Sequence, residues 1–236
     1  ERLADENGNP LPVMSGSEGV GRITDSIRKP LGGYDNRMYP LAEMNEVKTR
    51  QRVVDYRTTV NLKYNIYPGL DLSLGGIYET SQMQQRRYAS EQSALARQLV
   101  NRYTLAATPS APITFLLPKG GNLLQTQSLM RNFTARAQLS FNKRITSQHS
   151  LNAIAGAEVR GNITESSQAG YFGYNDQTLL LQPVDFARLI NTYSGILYGN
   201  APLNVDETFW QKYTDDRFVS GYMNAVYSFR DKYSVT

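Results

Sequence analysis

The chain has 236 residues, of which 40% are hydrophobic and 19% are charged, and its formal net charge at neutral pH is +4. It contains no cysteine, which excludes disulfide frameworks and cysteine-ligated zinc sites. No apolar run approaches the ~18 residues that a membrane-spanning helix needs, and no basic stripe of the kind that binds nucleic acid is present.

The N-terminal part, residues 1–44, is rich in Gly, Pro, Ser and Asn and predicts an external loop. Its segment 16–21 has several glycines but lacks the preceding strand and following helix of a phosphate-binding loop, which favours simple loop flexibility. The first residues carry no signal peptide, and residues 233–236 look like the opening of a strand. We therefore expect the chain to be a piece of a longer protein.

Period-two alternation of apolar and polar residues predicts five long strands. They cover the segments 55–66, 70–80, 132–142, 149–163 and 218–229, and a turn at 230–232 leads into a sixth strand. The first segment keeps its alternation over a dozen residues, which is long for a strand of a soluble protein.

The two faces of these strands differ in charge. The apolar faces hold no charged residue and include Val60, Leu62, Leu72, Leu139 and Ala155. This contrast is typical of a membrane barrel wall, because a charge facing lipid at mid-depth costs ~2–4 kcal/mol whereas the lumen is polar. An antiparallel sandwich with one wet face is the alternative. In the barrel reading, the charged residues that face the lumen are Arg57, Lys63, Arg136, Glu158 and Arg160.

The connections between the strands alternate in length. The segments 67–69, 144–148 and 230–232 are short, whereas the segments 81–131 and 164–217 are long. Outer-membrane barrels have short periplasmic turns and long extracellular loops, a combination that compact soluble domains rarely carry. Residues 90–102 predict a short helix or a strand extension within the first long loop. A periplasmic aromatic girdle is predicted near the short turns, from Tyr64, Tyr67, Phe141, Tyr227, Phe229 and Tyr233.

The second long loop holds the candidate substrate-binding residues. Aromatic rings beside amides and carboxylates stack on sugars or hold peptides. On this basis the candidates are Tyr171, Phe172, Tyr174, Asp176 and Trp210, with Tyr193, Tyr198, Phe209 and Tyr213 in the same loop. The alternative is that these side chains pack the loop onto itself or onto a partner protein, since so long a loop needs its own small core.

Catalytic chemistry has no support in the sequence. His149 is the only histidine, and it lies just past a short turn with no nucleophile or carboxylate at a telling spacing. No nucleophile–base set, paired carboxylates or metal-ligand cluster is recognisable. We therefore expect a protein that is not an enzyme and needs neither a metal nor another cofactor.

Several segments resemble, in the same order, those of the SusC/RagA family of TonB-dependent outer-membrane transporters. They are the Pro-Leu segment at 39–43, the hairpin at 62–70, the Pro-x-Gly-Gly loop at 117–123, the His-x-Leu strand ending in Gly-x-Glu at 148–158 and the hairpin at 221–233. The ordered set covers most of the chain.

This resemblance implies an all-β fold, a transmembrane antiparallel β-barrel of 22 strands. The chain, residues 1–236, would supply about six of these strands and their long extracellular loops as part of one barrel domain, with the plug domain outside it. The implied function is TonB-dependent import of oligosaccharides or peptides across the outer membrane of a Bacteroidota-type bacterium. The implied partners are a SusD-like surface lipoprotein, TonB, the remaining barrel and plug, and the lipid and lipopolysaccharide of the membrane, but no nucleic acid.

Two other functions stay open at this point. One is a soluble carbohydrate-binding β-domain that uses the same Tyr-rich loops. The other is an outer-membrane enzyme or assembly barrel.

Overall fold

The polypeptide folds mainly into long strands. The computed structural model describes residues 2–13, 34–35, 37–105, 112–191, 208–230 and 232–236. Within these ranges the helices are α1 (Pro40–Glu46), α2 (Ala94–Arg102) and α3 (Phe186–Asn191). The strands are β1 (Val47–Tyr67), β2 (Leu70–Ala89), β3 (Thr104–Leu105), β4 (Thr114–Phe115), β5 (Gly121–Thr146), β6 (His149–Tyr174), β7 (Trp210–Phe229) and β8 (Tyr233–Val235).

Six of these strands form one sheet in the order β1-β2-β5-β6-β7-β8, and β3 and β4 form a separate two-stranded sheet. The β7–β8 pair is antiparallel, with Phe229 opposite Tyr233, and so is the β3–β4 pair, with Thr104 opposite Phe115. The mostly antiparallel architecture with little helix confirms the predicted all-β class. Within the described residues, β1 and β8 are the two edges of the larger sheet, and no closed barrel is formed.

The strands are longer than the alternation predicted. β1 begins at Val47, β2 ends at Ala89, β5 begins at Gly121, β6 ends at Tyr174 and β7 begins at Trp210. The prediction that 81–131 and 164–217 are entirely loop is therefore wrong at both ends of each segment. Some of the added strand segments are polar on both faces, as in the run Lys48-Thr-Arg-Gln-Arg52, so these segments carry no period-two signal although their backbone still pairs.

The N-terminal region and the first long connection contain short helices. The predicted loop at 1–44 gives way to α1 at Pro40. Of the two alternatives for residues 90–102, a short helix or a strand extension, the structure has the helix, α2. Helix α2 begins at its N-cap Ser93, whose hydroxyl accepts a hydrogen bond of 3.1 Å from the N–H of Ala96. The glycine-containing segment 16–21 lies outside the described residues. No helix in the described ranges is long and apolar enough to cross a membrane.

Contacts divide the chain into two compact units. The first, the loop unit, comprises the described residues of Glu1–Arg52, Gln84–Thr126 and Ser167–Trp210. The loop unit has a hydrophobic core, a cluster formed by Val100, Tyr103, Leu117, Phe172 and Leu189. Helices α2 and α3, the Pro118 loop and the end of β6 therefore pack around a common interior.

The second unit, the sheet unit, comprises the described residues of Val53–Met83, Gln127–Ser166 and Gln211–Thr236. It contains strand segments of the larger sheet and no helix, and none of its described hydrophobic side chains is buried. Leu139, expected on the apolar face, is 43% exposed, so no second sheet covers it as a sandwich would require. Large apolar side chains are exposed on all five long strands of this unit, among them Val60, Leu62, Leu74, Phe133, Val159, Val219 and Met223.

The turn between β1 and β2 depends on Gly69. Its φ is +93°, and a Cβ at this position would lie 2.6 Å from the carbonyl oxygen of Asn142 in β5. The N–H of Asn142 donates a hydrogen bond of 2.7 Å to the carbonyl of Gly69, which fixes this close approach. A side chain here therefore meets both backbone strain and a steric clash.

We expect Gly69→Ala to lower the free energy of unfolding by about 1–3 kcal/mol, the range for a non-glycine residue held in a disfavoured backbone region. The measurement is the urea midpoint of the folded protein in detergent micelles. Gly76→Ala is the matched control, because nothing lies within 4 Å of a Cβ there. Equal shifts for the two variants would contradict the role assigned to Gly69.

Candidate functional site

The five charged residues predicted to face a lumen all lie in the sheet unit. Four of them take part in ion pairs. Arg57 Nη1 is 3.1 Å from Glu79 Oε1, and Lys63 Nζ is 3.1 Å from Asp71 Oδ2, so both pairs join β1 to β2. Glu158 accepts a hydrogen bond from Arg160 two residues along β6. We call the side of the sheet that carries Arg57, Lys63, Arg136, Glu158 and Arg160 the charged face.

These ion pairs contribute little to stability, because exposed pairs are worth about 0–1 kcal/mol. In the Arg57–Glu79 pair, for example, the side chains are 63% and 37% exposed. Their effect is instead to neutralise charge along the charged face. That this face lines a lumen remains a prediction.

Arg136 is the exception on the charged face. Its guanidinium contacts Tyr222 and Gln138, which are neutral, and it forms no ion pair with any described residue. Tyr222 reaches it from β7 across β6, where the ring lies over Gly156 and a Cβ would approach its hydroxyl to 2.4 Å. The sequence predicted the position of Arg136 but gave no sign of Tyr222, because the two residues are far apart along the chain.

The candidate substrate-binding aromatics divide by burial. Phe172 and Tyr174 are each only 5% exposed, and both lie in β6 instead of in the predicted loop. Phe172 belongs to the core of the loop unit, with its ring centroid 6.1 Å from that of Phe186. Phe186 in turn meets Phe209 edge-on at 4.9 Å. These contacts match the alternative in which the aromatic residues pack the loop onto itself.

The other candidates are more accessible. Tyr171 and Trp210 are half-buried, and the side chain of Asp176 is 44% exposed. Tyr193 and Tyr198 lie outside the described residues. Substrate contact by any of these residues remains a prediction.

Arg86 brings two of the five candidates together. Its Nη2 lies 2.8 Å from Asp176 Oδ1 and also donates to the hydroxyl of Tyr174, whose ring centroid lies 5.4 Å from the guanidinium carbon. Tyr88 meets the ring of Tyr174 edge-on at 5.7 Å. The sequence analysis missed Arg86, although the basic-aromatic run Arg86-Arg87-Tyr88 was a signal that could have drawn attention to it.

Within the loop unit, polar contacts hold the segment before α1 against α2. Asn101, which is fully buried, accepts from the N–H of Tyr34 at 2.9 Å and donates to its carbonyl at 2.8 Å. Burial alone would raise the pKa of Asp35, but hydrogen bonds from Arg37 and Tyr39 outweigh it and hold this pKa well below its usual range.

The Pro-x-Gly-Gly segment also packs in the loop unit. A Cβ on Gly120 would lie 2.9 Å from the backbone of Gly173, and the ammonium group of Lys119 lies 4.5 Å from the ring centroid of Phe115. This segment is thus a tightly packed connection between α2 and β5. Over the part of the chain that the structure describes, no group of three or more His, Cys, Asp or Glu side chains could hold a metal ion.

Three solved structures to which the chain is similar are structures of a peptide transporter, not of an enzyme. The chain is similar to a chain of the RagAB peptide transporter, with a TM-score of 0.61 and 12% identity over 97% of this chain and 20% of that chain. The RagAB peptide importer in its open-open state gives a TM-score of 0.58, with 12% identity over 97% of this chain and 20% of that chain. In its closed-closed state the TM-score is 0.56, with 13% identity over 96% of this chain and 20% of that chain.

The chain therefore spans about a fifth of the length of the solved structures it matches. No family model matches the chain, and no curated protein matches it in sequence. At this level of identity, the structural likeness shows a shared fold.

Proposed function

We propose that the chain forms part of the wall of an outer-membrane β-barrel that imports oligosaccharides or peptides with energy from TonB. The single observation that carries the proposal is the sheet unit, a single layer of strands with no buried hydrophobic side chain among its described residues. Its two faces differ in a way that water on both sides does not explain.

The apolar face needs a cover. Fully burying a Val, Leu, Ile, Phe or Met side chain is worth about 1.5–3 kcal/mol. Val60, Leu62, Phe133, Leu139 and Met223 all lie on this face and are between 40% and 84% exposed. A free-standing soluble domain would fold these side chains into a core, as the loop unit does with its own apolar residues.

Lipid fits this cover better than a second protein layer. The predicted apolar faces hold no charge, whereas the charged face carries the ion pairs Arg57–Glu79, Lys63–Asp71 and Arg160–Glu158. Hydrocarbon on one side and water on the other impose this division along every strand of a barrel wall. The alternative of a soluble carbohydrate-binding β-domain leaves the exposed apolar face without an explanation.

The edges of the sheet require further strands. β1 is an edge of the sheet and has 21 residues, so one side of its backbone lacks a partner strand within the described residues. Unpaired backbone groups are not tolerated in lipid. The rest of the wall, and the plug, would come from the remainder of the transporter, in keeping with a chain that spans about a fifth of the structures it matches.

The proposed cargo and partners follow from the resemblance to the SusC/RagA family and from the RagAB peptide transporter. A SusD-like surface lipoprotein and TonB are the proposed protein partners, and lipid and lipopolysaccharide are the proposed surroundings. Tyr171, Asp176 and Trp210 are the candidates for contact with an oligosaccharide or peptide. Phe172 and Tyr174 would support them from the interior.

Single-cysteine labelling in the full-length protein tests the proposal. The chain has no cysteine, so Leu62→Cys and Asn61→Cys each place one label within it, on opposite faces of β1. After reconstitution into vesicles, a nitroxide carried on lipid acyl chains should quench a fluorophore at position 62 strongly and one at position 61 weakly. A water-soluble quencher should give the reverse order. Equal quenching at the two positions, or none by lipid, would contradict the proposal.

A further inference from the structure

We infer that Arg136 is a binding site for a carboxylate group of the transported substrate. This inference rests on the proposed function, since it requires the charged face to line the path of the cargo. It concerns one guanidinium group that is held in place and lacks an anionic partner within the described residues.

Arg136 differs from the other cations of the charged face in its partners. Arg57, Lys63 and Arg160 on the charged face each lie within ion-pair distance of a carboxylate. The two hydrogen bonds of Arg136 go to neutral groups instead: its Nε donates to the Tyr222 hydroxyl at 2.7 Å and its Nη2 to Gln138 Oε1 at 2.8 Å. The positive charge of Arg136 is therefore not neutralised by any described residue.

Arg136 also has N–H donors that no described residue uses. A guanidinium group has five N–H donors in a fixed plane. Tyr222 and Gln138 take one each, both on the edge formed by Nε and Nη2. Nη1 donates to no described residue, so the end of the guanidinium formed by Nη1 and Nη2 is left to offer a parallel pair of donors. This pair matches the two oxygens of a carboxylate, which is the usual bidentate partner of arginine.

The guanidinium of Arg136 is held in one orientation by its contacts with Tyr222 and Gln138. Its carbon lies 5.1 Å from the ring centroid of Tyr222, within the range of a cation–π contact. The Tyr222 hydroxyl donates to Gln138 Oε1 at 2.8 Å, and the Gln138 amide donates to Ser140 at 3.1 Å. Each hydrogen bond in this network fixes the direction of the next. A preorganised donor loses less entropy when it binds a ligand.

Gly156 keeps Tyr222 in this position. A Cβ there would lie 2.4 Å from both the terminal ring carbon and the hydroxyl of Tyr222. Only glycine therefore lets the end of the Tyr222 ring lie so close to β6 and bring its hydroxyl to Arg136. If Arg136 served only stability, an ion pair would neutralise its charge. A cation that is held in place by neutral groups is better suited to binding a ligand.

The ligand chemistry is a carboxylate, and two sources are compatible with the proposed cargo. An acidic peptide offers the side chain of Asp or Glu, and an acidic oligosaccharide offers a uronic acid. The test uses matched probes for each source with the purified full-length protein. One pair is an end-blocked alanine pentapeptide with a central Glu or Gln, and the other is a trisaccharide ending in galacturonic acid or galactose.

In equilibrium binding experiments, the protein should prefer the acidic member of one pair by at least about tenfold, as expected for a hydrogen-bonded charge pair. Arg136→Gln should abolish this preference and leave the affinity for the neutral member within about twofold. Arg136→Lys, which keeps the charge but loses the parallel donors, should keep only part of the preference. Arg57→Gln is the matched control, since it removes the same charge from a cation on the same charged face that Glu79 already pairs.

Two results would overturn the inference. One is the absence of an acidic preference with both probe pairs, including the case in which no probe binds. The other is an equal loss of preference in Arg136→Gln and Arg57→Gln, which would indicate a general effect of net charge. The lipid-quenching experiment needs no ligand, so a sheet that passes it and fails here overturns the assignment of Arg136 alone.

Discussion

Val60→Arg is expected to destabilise the membrane-inserted protein by about 2–4 kcal/mol, the cost of an arginine on the lipid side of a barrel near mid-depth. Val60 is 52% exposed on the apolar face of β1. It lies seven residues before Tyr67, the end of the strand, which corresponds to a height of roughly 16 Å for a tilted strand. This height lies well inside an apolar band about 25 Å tall.

The measurement is reversible unfolding by guanidinium chloride in lipid vesicles, followed by tryptophan fluorescence of the full-length protein. Thr59→Arg is the matched control, because Thr59 is the neighbouring exposed residue on the charged face and gains the same side chain. The control should change the free energy of unfolding by less than about 0.5 kcal/mol, as surface substitutions usually do. A large effect at position 59 with none at position 60 would reverse the assignment of the two faces.

The alternation in the sequence predicted those parts of the strands where the two faces differ in polarity. Residues 55–66 alternate strictly and lie within β1, and the turn at Pro68 and Gly69 was predicted from its residue types. The extension of β1 to Val47 was not predicted, because Lys48, Arg50 and Arg52 alternate with other polar residues. Period-two alternation reports a contrast between two environments, and a strand with similar surroundings on both sides does not produce it.

The burial of the candidate site residues could not be predicted from local sequence either. Phe172 and Tyr174 were interpreted as loop residues open to a ligand, yet both are buried at the end of β6. A sequence shows that an aromatic residue has glycine and polar neighbours typical of a loop. It does not show whether other segments of the chain bury that residue. The cluster that contains Phe172 also draws residues from 99–103, 115–117 and 184–189, so it depends on contacts over long sequence separations.

The same limit applies to Arg136. Its parity grouped it with the other charged residues of the strands, but its partner Tyr222 is 86 residues away. Nothing local distinguishes it from Arg57 or Arg160, which have carboxylate partners. The difference between a neutralised and an available cation therefore appears only when the strand order is known.

Leu117→Ala is expected to destabilise the loop unit by about 2–5 kcal/mol, the range for removing a leucine side chain from a packed interior. Leu117 is fully buried, and it lies in the same cluster as Val100, Tyr103, Phe172 and Leu189. It precedes the Pro118 turn, whose ring would lie 2.8 Å from a Cβ on Gly173, so the surrounding backbone has little room to close over a cavity. A site that does not collapse retains most of the cavity cost.

Hydrogen exchange of the full-length protein, read by mass spectrometry, measures this effect segment by segment. Amides of α2, β3 and β4 should exchange tenfold or more faster in Leu117→Ala, because 2 kcal/mol corresponds to about a thirtyfold change in an opening equilibrium. Leu180→Ala is the matched control, since it removes the same atoms from a side chain that is 67% exposed. Faster exchange in both variants, or in neither, would mean that the core of the loop unit does not depend on Leu117. Selective acceleration would establish that the loop unit is ordered by its own hydrophobic core, which any binding role of Tyr171, Asp176 or Trp210 requires.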